Sequence, residues 1–175
     1  DGVAESHINL AIAQRVENLL LFLGQETVMT RTGEEAIYSS DATTLREKKV
    51  SDLKNRVASI NGTQQATLFS IHQNSFPAGK YHGAQVFYAP TDDSQALAAH
   101  IQTALSRSLQ PDNTRECKKI PDTVYLMNHI NCRGVLVECG FLTNPEEEQL
   151  LQTPVYQRKL AAVLSSAWLT SATVA

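Results

Sequence analysis

The sequence predicts an α/β fold in which a twisted, mostly parallel sheet carries helices on both faces. Amphipathic helical segments alternate with short strand-like runs, and several of these runs are almost entirely apolar, as in strands buried on both sides. The length of 175 residues suits one domain with one hydrophobic core. An α+β arrangement is the main alternative.

The first half of the chain predicts two helices and three strands. Apolar residues at helical spacing indicate a first helix with Ser6 as N-cap and Gly24 as its C-terminal glycine. A second helix is expected over residues 45–60, where Asn61-Gly62 ends it. Segments rich in β-forming residues predict strands at 26–31, 66–72 and 84–88.

The second half predicts three more helices and two more strands. Ser94 is the expected N-cap of a helix whose leucines and isoleucine recur at every fourth position. Strands are expected at residues 123–127 and 134–138. Asn144 followed by Pro145 and three glutamates is typical of a helix start, and Thr153-Pro154 opens the last helix.

Composition and charge exclude several classes of protein. Fifteen Lys and Arg against eighteen Asp and Glu give a net charge of -3, which argues against a nucleic-acid-binding protein. The apolar run at residues 19–23 is far shorter than the ~20 residues that cross a bilayer, so no transmembrane segment is expected. A hydrophobic content of 42% together with a small net charge argues against a disordered chain.

Two ionisable residues end apolar strands. His72 closes the run Leu68-Phe-Ser-Ile-His, and Glu138 closes Val135-Leu-Val-Glu. Ligands of open α/β sheets bind beyond the carboxyl ends of the strands, so these side chains are candidates for a metal or acid/base site. A partly buried Glu138 would have a raised pKa, as a general base beside a metal needs.

Three blocks in the same order resemble the zinc-dependent N-acetylmuramoyl-L-alanine amidases of the Amidase_3 type. They are Glu5-Ser-His-Ile-Asn-Leu-Ala-Ile-Ala13, Ser70-Ile-His72-Gln-Asn74 and Glu138-Cys-Gly-Phe-Leu-Thr-Asn144. The strand at Phe87-Tyr88 and the run from Val135 to Phe141 are similar to the CwlD-like spore-cortex subgroup. The resemblance implies hydrolysis of the amide between N-acetylmuramic acid and L-alanine in peptidoglycan, outside the cytoplasmic membrane.

The resemblance also implies roles for individual residues. Glu5 and His72 would be ligands of Zn²⁺, Glu138 the catalytic acid/base, and Asn74 a residue that binds substrate or orients His72. The family's first zinc histidine lies in a glycine-rich block upstream of the residue that matches Glu5. The sequence begins at Asp1, so we expect an N-terminally incomplete amidase domain over residues 1–175 that lacks the first strand and one zinc ligand. We expect such a chain to be metal-poor or inactive as an amidase.

The other histidines are poor replacements for the missing ligand. His7 is two residues from Glu5, so the two side chains point in different directions on a helix. His82 has no matching context, His100 is expected on the exposed side of its helix, and His129 is expected to end the strand beside that of Glu138.

Three alternatives remain open from the sequence. The first is a metal-poor peptidoglycan-binding or regulatory module that has the same fold and no activity. Whether the protein needs an activator protein is not decided by the sequence. The second is a cysteine hydrolase that uses Cys139, which is disfavoured because strand alternation turns Cys139 away from Glu138. The third, a serine hydrolase, is disfavoured because GxSxG is absent.

A basic cluster of Arg115, Lys118 and Lys119 is a candidate contact for the acidic stem peptide. Arg56 is expected to form an ion pair.

Overall fold

A four-stranded mixed sheet separates two layers of helices in the computed structural model, which describes residues 4–171. Along the chain the elements are α1 (Glu5–Phe22), α2 (Leu45–Gly62), β1 (Thr67–Asn74), β2 (Gln85–Tyr88), α3 (Ser94–Ser108), β3 (Lys118–Lys119), α4 (Tyr125–His129), β4 (Arg133–Phe141), α5 (Pro145–Leu151) and α6 (Pro154–Ser171). This confirms the predicted α/β class with helices on both faces of the sheet.

The strand order is β1-β4-β2-β3. β1 pairs with β4 in parallel, β2 pairs with β3 in parallel, and β2 runs antiparallel to β4. Two of the three pairings are therefore parallel, as expected. The antiparallel pairing arises because the link from β1 to β2, residues 75–84, contains no crossover helix that could bring the chain back in the same direction.

Strand alternation divides the hydrophobic residues between two cores. Val135, Val137 and Cys139 of β4 face the larger core, which is formed with the apolar faces of α1, α3 and α6. Leu136 faces the other way, into a smaller core with residues of α2 and α4. The strand residues of the site described below lie in the C-terminal halves of β1 and β4, which run parallel.

The predicted strand at residues 123–127 is wrong, because Tyr125–His129 forms the short helix α4. Side-chain contacts at helical spacing stabilise this turn: the rings of Tyr125 and His129 stack with centroids 3.9 Å apart, and Asn128 Nδ2 donates to the carbonyl of Val124. Met127 then faces the smaller core. The β-propensity of the segment is overridden because β-propensity measures fit to a neighbouring strand, which is absent here.

The predicted strand at residues 26–31 is also wrong. Exposure alternates from residue 25 to residue 29, as in an extended chain, but the segment forms no ladder with any strand in residues 4–171. The outer edge of β1 has no strand partner in that part of the chain either. The two-residue strand β3 was not predicted, because two exposed lysines carry no strand pattern.

Most predicted helix ends agree with the structure. Gly24 follows α1 with a φ of 76°, which glycine adopts without strain, and Asn144 caps α5 through the backbone N–H groups of Glu146 and Glu147. The N-cap predictions at Ser6 and Ser94 are wrong, since Ala4 and Asp93 occupy those positions. No helix within residues 4–171 has the length and apolar character needed to cross a membrane.

Candidate active site

Glu5 and His72 are in direct contact although 67 positions separate them in the sequence. Glu5 lies in the first turn of α1, and His72 lies near the end of β1. The Nδ1 atom of His72 lies 2.9 Å from Oε1 of Glu5. Both side chains are about half-exposed, at 44% for His72 and 41% for Glu5, so solvent and ligands can reach the pair.

Two further groups bond to the carboxylate of Glu5, and a third bond links those two residues. Asn9 lies one helical turn later and donates Nδ2 to Oε1 of Glu5 over 2.9 Å. The backbone N–H of Gln73 donates to the same oxygen over 3.2 Å, and the Gln73 amide Nε2 donates to Oδ1 of Asn9. The first turn of α1 is thus bonded to the end of β1, which holds Glu5 against His72.

Glu138 is the neighbour of His72 across the sheet. In the parallel pairing of β1 with β4, the Cα of His72 is in register with that of Glu138. In the antiparallel pairing of β4 with β2, Glu138 is opposite Gln85. Residues directly opposite one another project from the same face of a sheet, so His72, Glu138 and Gln85 form one row across three strands.

The contact between Glu5 and His72 favours the charged form of both residues. The hydrogen bond from His72 lowers the pKa of Glu5 to about 2, against the opposing effect of partial burial. The same bond raises the pKa of His72, helped by the negative charges of Glu138 and Glu5. In this arrangement Glu5 is a carboxylate, and its Oε1 accepts a hydrogen bond from the N–H group at Nδ1 of protonated His72.

Glu138 has the opposite perturbation. Burial of its carboxyl raises the pKa to about 7, and the nearby His72 only partly offsets that effect. Its Oε2 atom is buried without a hydrogen-bond partner among the residues that the structure describes. A carboxyl group with a pKa near neutrality, close to a solvent-accessible histidine, is suited to accept and return a proton.

The remaining predicted site residue, Asn74, lies at the end of β1 beyond an irregularity in the β1–β4 pairing. Its backbone carbonyl accepts a hydrogen bond from Leu142 N–H over 2.9 Å. This bond joins the two strand ends that carry His72 and Glu138. A role of the Asn74 side chain in substrate binding stays a prediction.

Cys139 is buried on the face opposite Glu138, as its position in β4 predicts. Complete burial raises the pKa of its thiol to about 12. A nucleophilic cysteine needs a lowered pKa and access to substrate, and Cys139 has neither. This geometry argues against the cysteine-hydrolase alternative.

None of the other four histidines contacts the Glu5–His72 pair. His7 binds Glu34 at the surface, and the Nε2 atom of His100 contacts the hydroxyl of Thr170. The backbone carbonyl of His82 accepts a bond from Arg115. His129 ends the helix α4, so the prediction that it ends a strand beside that of Glu138 is wrong.

The pair fits a zinc site in part. Carboxylate oxygen and imidazole nitrogen are ligands that Zn²⁺ takes, and catalytic zinc sites generally have three protein ligands. Glu5 and His72 would supply two of them. Within residues 4–171, no group of three or more His, Cys, Asp and Glu side chains is arranged to hold a metal ion.

The loop between β1 and β2 is fixed to the segment at and after the end of β4. The N–H of Phe76 donates to the hydroxyl of Thr143, and Nδ2 of Asn144 donates to the carbonyl of Tyr81. Oε1 of Glu147 accepts from Gly83 N–H over 2.9 Å, while Oε2 accepts from the N–H of Phe141 over 2.7 Å. The polar residues after Glu138 therefore position this loop.

Sequence reasoning missed the supporting residues Asn9, Gln73 and Glu147. Asn9 could have been found, since positions i and i+4 of a helix share a face and Glu5 was already a candidate. Gln73 and Glu147 carried no signal, because their contacts depend on how distant segments meet.

An α/β domain with a half-exposed His–Glu pair beside a buried carboxyl of raised pKa has the side chains that general acid–base chemistry of a hydrolase needs. The family model of N-acetylmuramoyl-L-alanine amidases, Amidase_3, matches residues 1–167. The chain belongs to this family.

Individual relatives refine the similarity. The germination-specific N-acetylmuramoyl-L-alanine amidase of Bacillus subtilis is 36% identical over 159 residues, which cover 90% of this chain and 66% of the relative. The CwlD amidase from Clostridioides difficile, solved in complex with the GerS lipoprotein, has 35% identity and a TM-score of 0.93, over 99% of this chain and 88% of that one. The amidase LytC of Bacillus subtilis is 28% identical, and the match covers 94% of this chain and 30% of LytC. These relatives confirm the predicted CwlD-like resemblance.

Proposed function

We propose that this chain hydrolyses the amide bond between N-acetylmuramic acid and L-alanine in peptidoglycan. The observation that carries the proposal is the buried, unpartnered carboxyl of Glu138 in register with His72, which itself contacts Glu5. Membership of the amidase family supports the substrate and the bond. The chain spans about two thirds of its germination-specific relative, so activity is proposed for the domain as given.

In the proposed mechanism Glu138 moves the protons. It accepts a proton from the water that attacks the carbonyl carbon of the scissile amide. It then donates that proton to the nitrogen of L-alanine as the C–N bond breaks, which releases a free amine. A pKa of about 7 lets the same carboxyl act first as base and then as acid near neutral pH.

Glu5 and His72 are the proposed ligands of a zinc ion. When bound, zinc supplies polarisation of the scissile carbonyl and makes water more acidic. The bonds from Asn9 and Gln73 hold Glu5 in place for this role, since ligands fixed by surrounding groups lose less entropy on binding. His72 would have to be unprotonated at the nitrogen that holds zinc, so metal binding by this pair would be weaker at low pH.

Hydrolysis is tested on purified peptidoglycan with added Zn²⁺, by measuring new amino termini of L-alanine. The variant Glu138→Gln keeps the shape of the side chain and removes its proton transfer, so we expect a loss of about 10²–10⁴-fold in rate. Glu146→Gln, an exposed glutamate of α5, is the matched control and should retain activity. Unchanged turnover by Glu138→Gln would contradict the assigned role.

Zinc binding is tested separately by calorimetry, without any activity measurement. We expect Glu5→Gln and His72→Asn each to abolish measurable Zn²⁺ binding, whereas Glu26→Gln, a substitution at an exposed site, leaves it unchanged. Binding that survives both site substitutions would show that the metal is held elsewhere.

A second candidate is a peptidoglycan-binding or regulatory module without activity. It is favoured by one observation, that residues 4–171 contain no cluster of three metal-ligating side chains. The two functions differ in one result: this module would bind wall fragments but would release no L-alanine amino termini with zinc present.

The place of action and the partner are proposals from the relatives. Peptidoglycan lies outside the cytoplasmic membrane, so we propose an extracytoplasmic location, in the wall of spores if the chain acts as its germination-specific relative does. The solved complex of the Clostridioides difficile relative with a lipoprotein suggests that a protein partner assists this chain as well.

A further inference from the structure

The row of polar side chains that crosses the sheet continues beyond β2. His72, Glu138 and Gln85 lie side by side on β1, β4 and β2. The Nη1 atom of Arg115 donates to Oε1 of Gln85 over 3.2 Å. Arg115, in the loop before β3, therefore extends the row on the side of Glu138 away from His72.

Three contacts fix the guanidinium of Arg115. Besides the bond to Gln85, its Nε donates to the carbonyl of His82 over 2.9 Å. Its central carbon lies 4.8 Å from the centroid of the Phe141 ring, in a cation–π contact. Phe141 follows Glu138 by three residues in β4, so the cation is held at the same strand end as the acid/base candidate.

The Gln85 amide is itself fixed and buried. Its Nε2 donates to the carbonyl of Glu116 over 3.0 Å, and only 5% of the residue is exposed. Gln85 therefore lies between Glu138 and Arg115 in the row and holds Arg115 through a fixed amide group. The loop at Gly83 is equally constrained, because a Cβ there would lie 2.7 Å from Cγ of Asn113.

The positive charge of Arg115 is not neutralised within the part of the chain that the structure describes. The ion pairs there involve other cations, and no carboxylate lies within 4 Å of the Arg115 nitrogens. The Nη2 group has no partner in the same residues. An arginine that is oriented but has no anionic partner is prepared to bind a planar carboxylate.

We propose that Arg115 binds the free carboxylate of the second residue of the stem peptide, and thereby makes the site selective for acidic peptides. The inference rests on the proposed hydrolysis, because that reaction places L-alanine at Glu138. Adjacent strands are about 4.8 Å apart, and two extended residues span about 7 Å. The first spacing separates Glu138 from Gln85, and Nη1 of Arg115 lies 3.2 Å beyond Oε1 of Gln85. The span of two residues is comparable with this separation, so we infer that a carboxylate one residue beyond L-alanine reaches Arg115.

The other two members of the basic cluster lack these features. Lys118 and Lys119 form the exposed edge strand β3, and both side chains face solvent. Their charges add to the local potential, but nothing aims them at the site. Lys119→Gln is therefore the matched control for the loss of one positive charge.

Binding of two synthetic peptides tests the proposal without catalysis. The first is L-alanyl-γ-D-glutamate with a free α-carboxylate, and the second is the same dipeptide with that group amidated. We expect calorimetry to show that the acid binds the wild-type chain about tenfold or more tightly than the amide. We expect Arg115→Gln to bind both peptides equally weakly, Arg115→Lys to recover part of the difference, and Lys119→Gln to behave as wild type.

The outcomes separate this inference from the proposed hydrolysis. Equal binding of the acid and the amide by the wild-type chain overturns the role of Arg115, whatever the turnover shows. If the wild-type chain cleaves neither the acidic nor the amidated muropeptide, the proposed hydrolysis fails instead. If Arg115→Gln lowers kcat/KM equally for both muropeptides, Arg115 only supports the loop and the selectivity proposal is wrong.

Discussion

Asp52 and Arg56 show how one ion pair fixes a long irregular segment at the residue level. Arg56 Nε lies 2.7 Å from Asp52 Oδ2, and the two side chains are only 16% and 17% exposed. Asp52 Oδ1 also accepts the N–H of Ile37, while Arg56 Nη1 donates to the hydroxyl of Thr30. The predicted ion pair of Arg56 is therefore present, and it attaches the chain between α1 and α2 to α2.

The stability supplied by Asp52 depends on pH. Burial alone would raise the pKa of Asp52, but hydrogen bonds from Arg56 and Ile37 and the charge of Arg56 outweigh it and lower the pKa below the ordinary 3.8. Because the pKa of Asp52 is lower in the folded chain than in the unfolded one, its carboxylate stabilises the fold fully at neutral pH. This stabilisation declines as the pH falls below 3.8 and is lost below the lowered pKa. Asp52→Asn should therefore reduce the free energy of unfolding by about 1–2 kcal/mol at pH 7, and by progressively less as the pH falls below 3.8.

Urea unfolding at several pH values measures this difference. Asp41→Asn, an exposed aspartate near the start of α2, is the control and should change little at any pH. A deficit for Asp52→Asn that stays constant down to pH 2.5 would show that shape, and not charge, accounts for the effect.

Individual site residues could be predicted where their chemistry was tied to a strand end. His72 and Glu138 each follow an apolar strand, and the structure places them in register. The contact of Glu5 with His72 came from the resemblance to the amidases, because no spacing rule joins residues 67 positions apart. The fixed orientation of Arg115 could not be predicted, since it depends on Gln85, His82 and Phe141 meeting in space.

The start of helix α5 has two tasks at the level of the element. Oδ1 of Asn144 accepts hydrogen bonds from the N–H groups of Glu146 and Glu147, which caps the helix, while Nδ2 donates to the carbonyl of Tyr81 in the loop between β1 and β2. Asn144→Asp keeps the cap and loses the bond to the loop, whereas Asn144→Ala loses both.

We expect Asn144→Ala to lower the free energy of unfolding by about 1 kcal/mol and Asn144→Asp to lower it less. Both variants should be cut by trypsin after Lys80 faster than the wild-type chain, because both remove one of the hydrogen bonds that hold the loop near Tyr81. Equal trypsin rates in all three proteins would contradict the second task of Asn144.

Among the elements, those with their own helical or capping signals were predictable. The apolar stripes of α1 and α3 and the Asn144-Pro145 start of α5 are local properties. Strands were predictable only where a neighbour exists: residues 26–31 have strand composition but no ladder, and residues 123–127 become the helix α4. A strand is a pairing between segments, and one segment does not contain that information.

Across the whole molecule, the site combines one residue of helix α1 with residues of three strands of the sheet. Glu5 comes from α1, which packs on the larger core, while His72, Glu138 and Gln85 project from the other face of the sheet. They meet only because β1 ends beside the first turn of α1. The general α/β architecture was predictable from element alternation, but the antiparallel β2 was not, since nothing local in its sequence sets its direction.

The two borders of the sheet differ in how well they resist self-association. β3 is only two residues long and consists of Lys118 and Lys119. Short edge strands and exposed lysines both disfavour pairing with a strand of another molecule. β1 is eight residues long and contains no Asp, Glu, Lys or Arg. Its outer edge pairs with no strand within residues 4–171, so its peptide groups are open there to pairing with a second copy. We expect this polypeptide to form oligomers and then fibrillar aggregates as its concentration rises. Light scattering should show fewer oligomers and fewer aggregates for Thr67→Lys than for the wild-type chain, because this substitution adds a positive charge to the β1 edge.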